Sequence, residues 1–235
     1  EVYHKGTKII RDEKKEIRAC DPKLKNTVHI SNFSEKQLEL PWKEGKAHIL
    51  RMLEGQIVTE DILEEPSYTE KDGQKFFVSD DRFQKIAVIE RHKGTGKNSV
   101  GIVSGFGLRG GAIASSVSHD SHNIIVIGDN DHDMYLAVQE LIRTQGGYTL
   151  VKNGQVFDTL PLSIMGLMSD LGYEKVNEIL GRMIPEAHRM GIPDGFDPFI
   201  TLSFMALPVI PEIRVTPRGI YLVKEDRLLR NPYEK

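Results

Sequence analysis

Cysteine is nearly absent from this sequence: Cys20 is the single thiol in 235 residues. A disulfide framework within the chain is thereby excluded, as is every zinc site built on paired cysteines. No apolar run approaches the ~20 residues needed to cross a bilayer. The stretch Glu1–Ile10, which carries His4, Lys5 and Lys8, does not resemble a signal peptide. An excess of one charge sign is also missing, since 31 Lys and Arg stand against 34 Asp and Glu for a net charge of −3. The cations are scattered and form no basic stripe, so nucleic acid is not an expected partner. A cytoplasmic location and no membrane association fit these absences. Among the eight histidines there is no His-x-His pair.

What is present is an ordinary globular composition, 39% hydrophobic and 28% charged, in a chain long enough for one large domain or two small ones. One stretch differs from its surroundings. Ser104–Met134 opens on Gly105, Gly107, Gly110 and Gly111, passes through small residues, gathers His119, Asp120, His122 and Asn123, and then runs through apolar Ile124–Ile127. Ionisable groups between two apolar strands lie at strand ends, where sites are commonly built. Any chemistry in this chain is expected here.

Short strands are predicted at Val2–Ile10 and Thr27–Ile30, with charged Arg11–Arg18 between them. Ser34 and Gln37 stand at capping-box spacing. Ala47–Leu53 and Gln56–Ile62 flank a turn at Glu54-Gly55, and Pro66–Gly73 reads as a polar connection. Strands follow at Phe76–Ser79, Lys85–Glu90, Val100–Val103, Ala112–Val117 and Asn123–Ile127. Asp129–Asp131 supplies N-cap candidates for a helix reaching Thr144, stopped by Gly146-Gly147. Asn153-Gly154 is the clearest type I′ hairpin signal. Helices are predicted at Pro161–Leu171 and Tyr173–Met190, then a buried segment at Phe196–Leu207 and a last hairpin around Pro217–Gly219. The fold class is α+β: mixed, mostly antiparallel sheets with helices packed on them, strands dominating the first half and helices the second, and no complete TIM barrel. A division is placed between residues 1–65 and 66–235.

Several constellations have an ordinary structural reading beside a functional one. Asp120 and Asn123 can make turn hydrogen bonds with His119 and His122 as half-buried donors. A neutral histidine near pH 7 is equally suited to substrate or proton handling. Glu90, Arg91 and His92 follow a strand, where an ion pair within the loop is the simpler account. GFGLRGGA matches a dinucleotide fingerprint in letters only, because a β-branched, serine-rich segment follows it. Asp129, Asp131 and Asp133 lack the glycine and distant glutamate of a calcium loop.

The stretches VIERHKGTG, GFGLRGGAIASSVSHDSHNIIVIG, LPLSIMGLMSD and PFITLSFMALPVIPEIRVT resemble the C-terminal part of bacterial adenine deaminases, metal-dependent members of the amidohydrolase superfamily. The resemblance runs from about Val28 to about Val223, and Val2–Ile17 resembles the small β-sandwich that flanks an amidohydrolase barrel. It implies purine catabolism: adenine and water to hypoxanthine and ammonia. The water would be activated by a divalent metal (manganese or iron), which can lower its pKa to about 7. The family takes its ligands mainly from a barrel of about 250 residues. No such segment lies here, so no metal ligand is assigned to this chain. It is expected to cover or complete the purine site of that N-terminal barrel and to be inactive alone, with homo-oligomerisation left open. The start at Glu1 without methionine suggests a cut piece of a longer polypeptide. The resemblance points to His119, Asp120 and His122 as catalytic candidates and to Glu90, His92, Gly107, Ser118 and Asn123 as substrate-binding ones. The alternative is a stand-alone small-molecule-binding or interaction domain without catalysis.

Overall fold

A computed structural model describes residues 1–9 and 20–234. All of Arg11–Arg18, and Ile10 at the end of the first predicted strand, therefore lie outside the described residues. Glu1–Ile9 forms a hairpin of β1 (Tyr3–His4) and β2 (Thr7–Lys8), every residue of which is exposed.

The centre of the molecule is an eight-stranded sheet. In chain order its strands are β3 (Ala47–Met52), β4 (Thr59–Glu64), β7 (Phe83–Ile89), β8 (Asn98–Ser104), β9 (Gly111–Ser115), β10 (Ile124–Gly128), β11 (Gly147–Lys152) and β12 (Gln155–Pro161). Across the sheet they run β12-β11-β9-β10-β7-β8-β3-β4. All neighbours are antiparallel except β3 and β8, which are parallel. A separate hairpin pairs β5 (Tyr68–Lys71), within the stretch read as a polar connection, with β6 (Gln74–Phe77), which overlaps the strand expected at Phe76–Ser79. It turns on Asp72-Gly73, both in the left-handed region. The same sheet contains strands on both sides of residue 65.

The central strands read as continuous apolar runs because both faces of the sheet are covered. In β10, Ile125 and Ile127 join one core while Ile124 and Val126 join the other, and β7 divides Ile86 and Val88 from Ala87 and Ile89 in the same way. That is the period-2 alternation of a strand, with both destinations dry. The first face is covered by α2 (Tyr173–Arg189), α3 (Pro198–Phe204) and a three-stranded sheet of β13 (Ile213–Thr216), β14 (Gly219–Leu222) and β15 (Arg227–Leu229). The second is covered by α1 (Asp131–Thr144) with Val28, Phe33 and Leu38. The expected α+β class is observed: strands dominate the first half, α2 and α3 fall in the second, and the described residues form no closed barrel.

Local signals were followed closely where chain neighbours decide. Asn130 caps α1 by accepting from Asp133 N at 2.8 Å, and Gly146 N donates to Leu141 O at 2.8 Å past its last turn. Asn153 and Gly154 both have positive φ between β11 and β12. Ser34 and Gln37 form the capping box of a short 3-10 turn.

Two predicted elements are not there. Pro161–Leu171 is no helix: Met165 and Gly166 are left-handed, and their carbonyls accept from Arg91 Nη2 at 3.0 Å and Ser116 Oγ at 2.6 Å. Thr27–Ile30 is no strand, because Thr27 N and Val28 N both donate to the Gln145 side chain at 3.1 Å instead of to a neighbouring ladder. In both places long-range hydrogen bonds override the local pattern.

Candidate functional site

The loop Glu90–Lys97 between β7 and β8 and the loop 116–123 between β9 and β10 emerge from the same end of the sheet. They meet across the buried Arg91, which is 1% exposed. Its guanidinium donates through Nε to His122 O, through Nη1 to Thr27 O at 2.9 Å and through Nη2 to Met165 O at 3.0 Å. No carboxylate lies within ion-pair distance of it among the described residues, and burial lowers its pKa to about 10. Three separate segments are thus tied together by carbonyl groups on one planar cation, a geometry that a lysine ammonium does not reproduce.

Glu90 and His92 organise the first loop. The Glu90 carboxylate accepts from Lys93 N at 2.8 Å, Thr95 N at 3.0 Å, Thr95 Oγ1 at 2.8 Å and His92 N at 2.5 Å. Burial pushes its pKa up, but these four bonds outweigh that and hold it at about 2. His92 Nε2 is 2.6 Å from Ser121 O and so fastens the first loop to the second. The carboxylate therefore closes its own loop, and no ion pair to Arg91 or His92 forms.

A pH test follows. The folded pKa of Glu90 lies below its ordinary 4.5, so its stabilisation is present above pH 4.5 and is lost as pH falls toward about 2. Because the group is only partly buried, solvent screening reduces the effect to about 1 kcal/mol. The unfolding free energies of the native chain and of Glu90→Gln should differ by that amount above pH 5 and converge near pH 2. A gap that does not change with pH would refute the assignment.

In the second loop His122 has φ +50 and its amide donates to Ser118 O at 2.6 Å. Its Nδ1 accepts from Ser118 N at 3.3 Å, which leaves the proton of a neutral ring on Nε2. Burial lowers the His122 pKa, and the nearby His119 and Arg91 add to the shift. The ring therefore stays neutral at pH 7. His119 lies 5.7 Å from the His122 ring and 4.9 Å from the Phe204 ring at the end of α3, with its amide bonded to Ser203 O at 2.9 Å. Asp120 is exposed, whereas Ser118 is fully buried with an Oγ that has no partner among the described residues. The Asn123 side chain is engaged at both ends, by Arg91 N at 3.3 Å and Ser121 Oγ at 2.9 Å.

A cleft of about 900 Å³ opens beside these loops. Its lining includes Glu90, His92, Asp120 and Asn123 from these loops, and the apolar Ala206–Val209 with Tyr221 and Leu228. Gly107 does not join them. It sits past the far end of β8, a seven-residue strand and so about 20 Å away. There its Cα approaches Gly191, so that an added Cβ would lie 2.5 Å from Gly191 O. It is a packing turn. Among the described residues no group of three or more His, Cys, Asp or Glu side chains could hold a metal ion. The described residues thus do not fit the divalent metal that the resemblance implies.

The model of the adenine deaminase C-terminal domain family matches residues 56–227. This chain belongs to that family. Proteins named adenine deaminase from Desulfitobacterium hafniense and Clostridium acetobutylicum are 48% and 41% identical to it, each over 97% of this chain and 40% of the relative. The adenine deaminase of Nitratidesulfovibrio vulgaris strain DP4 is 42% identical over 95% of the chain and 39% of the relative. The chain therefore spans about 40% of the length of these relatives. Within this adenine deaminase C-terminal domain, all four candidates that line the cleft come from loops 90–97 and 116–123. The residue that sequence reasoning missed is Arg91. Its signal was an arginine two residues past a buried strand, with an acidic neighbour, Glu90, that proves to be otherwise engaged.

Proposed function

We propose that this domain completes the purine site of a longer adenine deaminase, a hydrolase that converts adenine and water to hypoxanthine and ammonia. The observation that carries this reading is the cleft. Its lining combines histidine, carboxylate and amide groups with apolar residues suited to the face of a planar base, beside loops at one end of the sheet. A metal centre (manganese or iron) belongs to the segment upstream of this domain, and no step is assigned to it here. In this reading His119 and His122, sequence neighbours of the cleft-lining Asp120, Ser121 and Asn123, exchange a proton with the base or its departing amine. Asp120 is available to accept from the purine N–H edge. His92 and Asn123 fix the loop geometry, the buried Ser118 holds His122 through its backbone, and Glu90 shapes the rim. The backbone turn at Gly107 supports the scaffold from the far end. The setting is cytoplasmic and the pathway is adenine breakdown.

In the full-length enzyme, His119→Ala and His122→Ala should each lower turnover at least about tenfold, the low end of what a positioned acid–base group contributes. Melting temperature and metal content should stay near the native values. Full turnover in both variants would move the site elsewhere. Loss of turnover only in step with unfolding would make the loop scaffold, as in a binding or interaction domain without catalysis.

A further inference from the structure

The loop that follows β12 presents side chains that its own domain does not use. Met165 is 42% exposed, Met168 52% and Leu171 40%, and Leu24 beside them is 39% exposed. Their backbone is nevertheless held on several sides. Met165 O accepts from Arg91, Met165 N donates to Leu24 O at 2.7 Å, Ile164 and Met168 form a bridge, and Asp170 pairs with Lys25. A mobile loop exposes apolar groups incidentally. This one holds Met165, Met168 and Leu171 exposed on a fixed backbone tied to Leu24 and Lys25, and exposed apolar groups gathered in this way mark an interaction site. Methionine suits such a face because its unbranched thioether adapts to the opposing surface.

We propose that the face made by Leu24, Met165, Met168 and Leu171 is the seat of the segment that precedes this domain in the longer polypeptide. The inference rests on the reading of this chain as the C-terminal part of such an enzyme. The relatives it matches are about two and a half times as long, and the family it belongs to is named for the C-terminal domain. The rest of their length therefore lies upstream. Residues 20–27 cross this same face on their way into the domain, tied down by Leu24 O, Lys25 and Thr27 O. The described chain thus passes this face before it enters the sheet. Arg91 then links the face to the cleft, because the guanidinium that holds Met165 O also holds Thr27 O and His122 O. A domain seated on the methionines would stand next to the candidate site.

The test uses the full-length protein with a photoreactive benzoylphenylalanine at Met168 and, as a control, at Val156, an exposed apolar position on β12. Cross-links from position 168 to peptides upstream of Glu1 within one polypeptide, and none from position 156, are expected. In parallel Met168→Glu with Leu171→Glu should split the unfolding of the full-length protein into two transitions. Cross-links only between copies would assign the face to self-association and overturn the proposal. Absence of cross-links together with unchanged unfolding would overturn it equally. Neither readout depends on turnover, so a failure of the deaminase reading would show separately, as native protein that does not release ammonia from adenine.

Discussion

Arg91→Met should lower the stability of the domain by about 3 kcal/mol, taking the low end of 1–3 kcal/mol for each of three partly buried carbonyls left without a donor. Those carbonyls are Thr27 O, His122 O and Met165 O. Methionine restores packing volume but donates nothing. The guanidinium also has no carboxylate partner that the substitution would strand, so the loss belongs to the carbonyls and not to an orphaned charge. Against a typical 5–15 kcal/mol for a whole domain, this is a large fraction. Arg91→Lys should recover little of it, because an ammonium has no planar fork to span three segments. The shift of the denaturant midpoint at constant slope measures the effect. A midpoint within experimental error of the native one would show that water replaces the guanidinium without cost.

Gly111→Ala should be similarly damaging for a different reason. The φ of Gly111 is not in the left-handed region, so alanine meets no conformational strain there. Its methyl group, however, would lie 2.0 Å from Val151 O and 2.6 Å from Met190 Cε. Met190 can swing aside, but Val151 O belongs to β11, the strand paired with β9. Separating the two strands would also pull Gly111 N from Asp129, which accepts from it at 3.1 Å. Overpacking against backbone stands at the upper end of the usual range, about 3 kcal/mol. For a domain of this size that corresponds to roughly 10 °C in melting temperature. Gly181→Ala is the matched control. Gly181 lies in α2 with nothing within 4 Å of an added Cβ. There alanine should stabilise by up to about 1 kcal/mol through helix propensity. Equal melting temperatures for the two variants would contradict the packing account.

The contrast between these glycines shows what a sequence discloses. Features decided by neighbours in the chain were legible: the Asn130 region as the cap of α1, Asn153-Gly154 as a hairpin, the apolar run Ile124–Ile127 as a buried strand. Features decided by partners far along the chain were not. Pro161–Leu171 has helical spacing, yet its backbone is claimed by Arg91 and Ser116, more than 40 residues away. Thr27–Ile30 has strand composition, yet a glutamine side chain at the end of α1 takes its amides. At the candidate site, residue types and their crowding pointed to loop 116–123 without any coordinates. What remained hidden was that Glu90 is consumed by its own loop and that Arg91 joins the parts. Gly107 looked like a member of the site because sequence proximity to His119 stands in for spatial proximity only within a single loop. A full strand separates them.

The one parallel pair in the central sheet decides how this domain can be excised. β3 lies between β8 and β4, with Leu50 opposite Val103, and its Leu50 and Met52 belong to the core beneath α2 and α3. The family match begins at residue 56, after β3 has ended. A fragment cut at that boundary would keep β4 without the strand it pairs with and would leave β8 as an open, apolar edge, the arrangement that invites intermolecular pairing. A soluble fragment has to start earlier, ahead of Val28, whose side chain is already part of the core against α1.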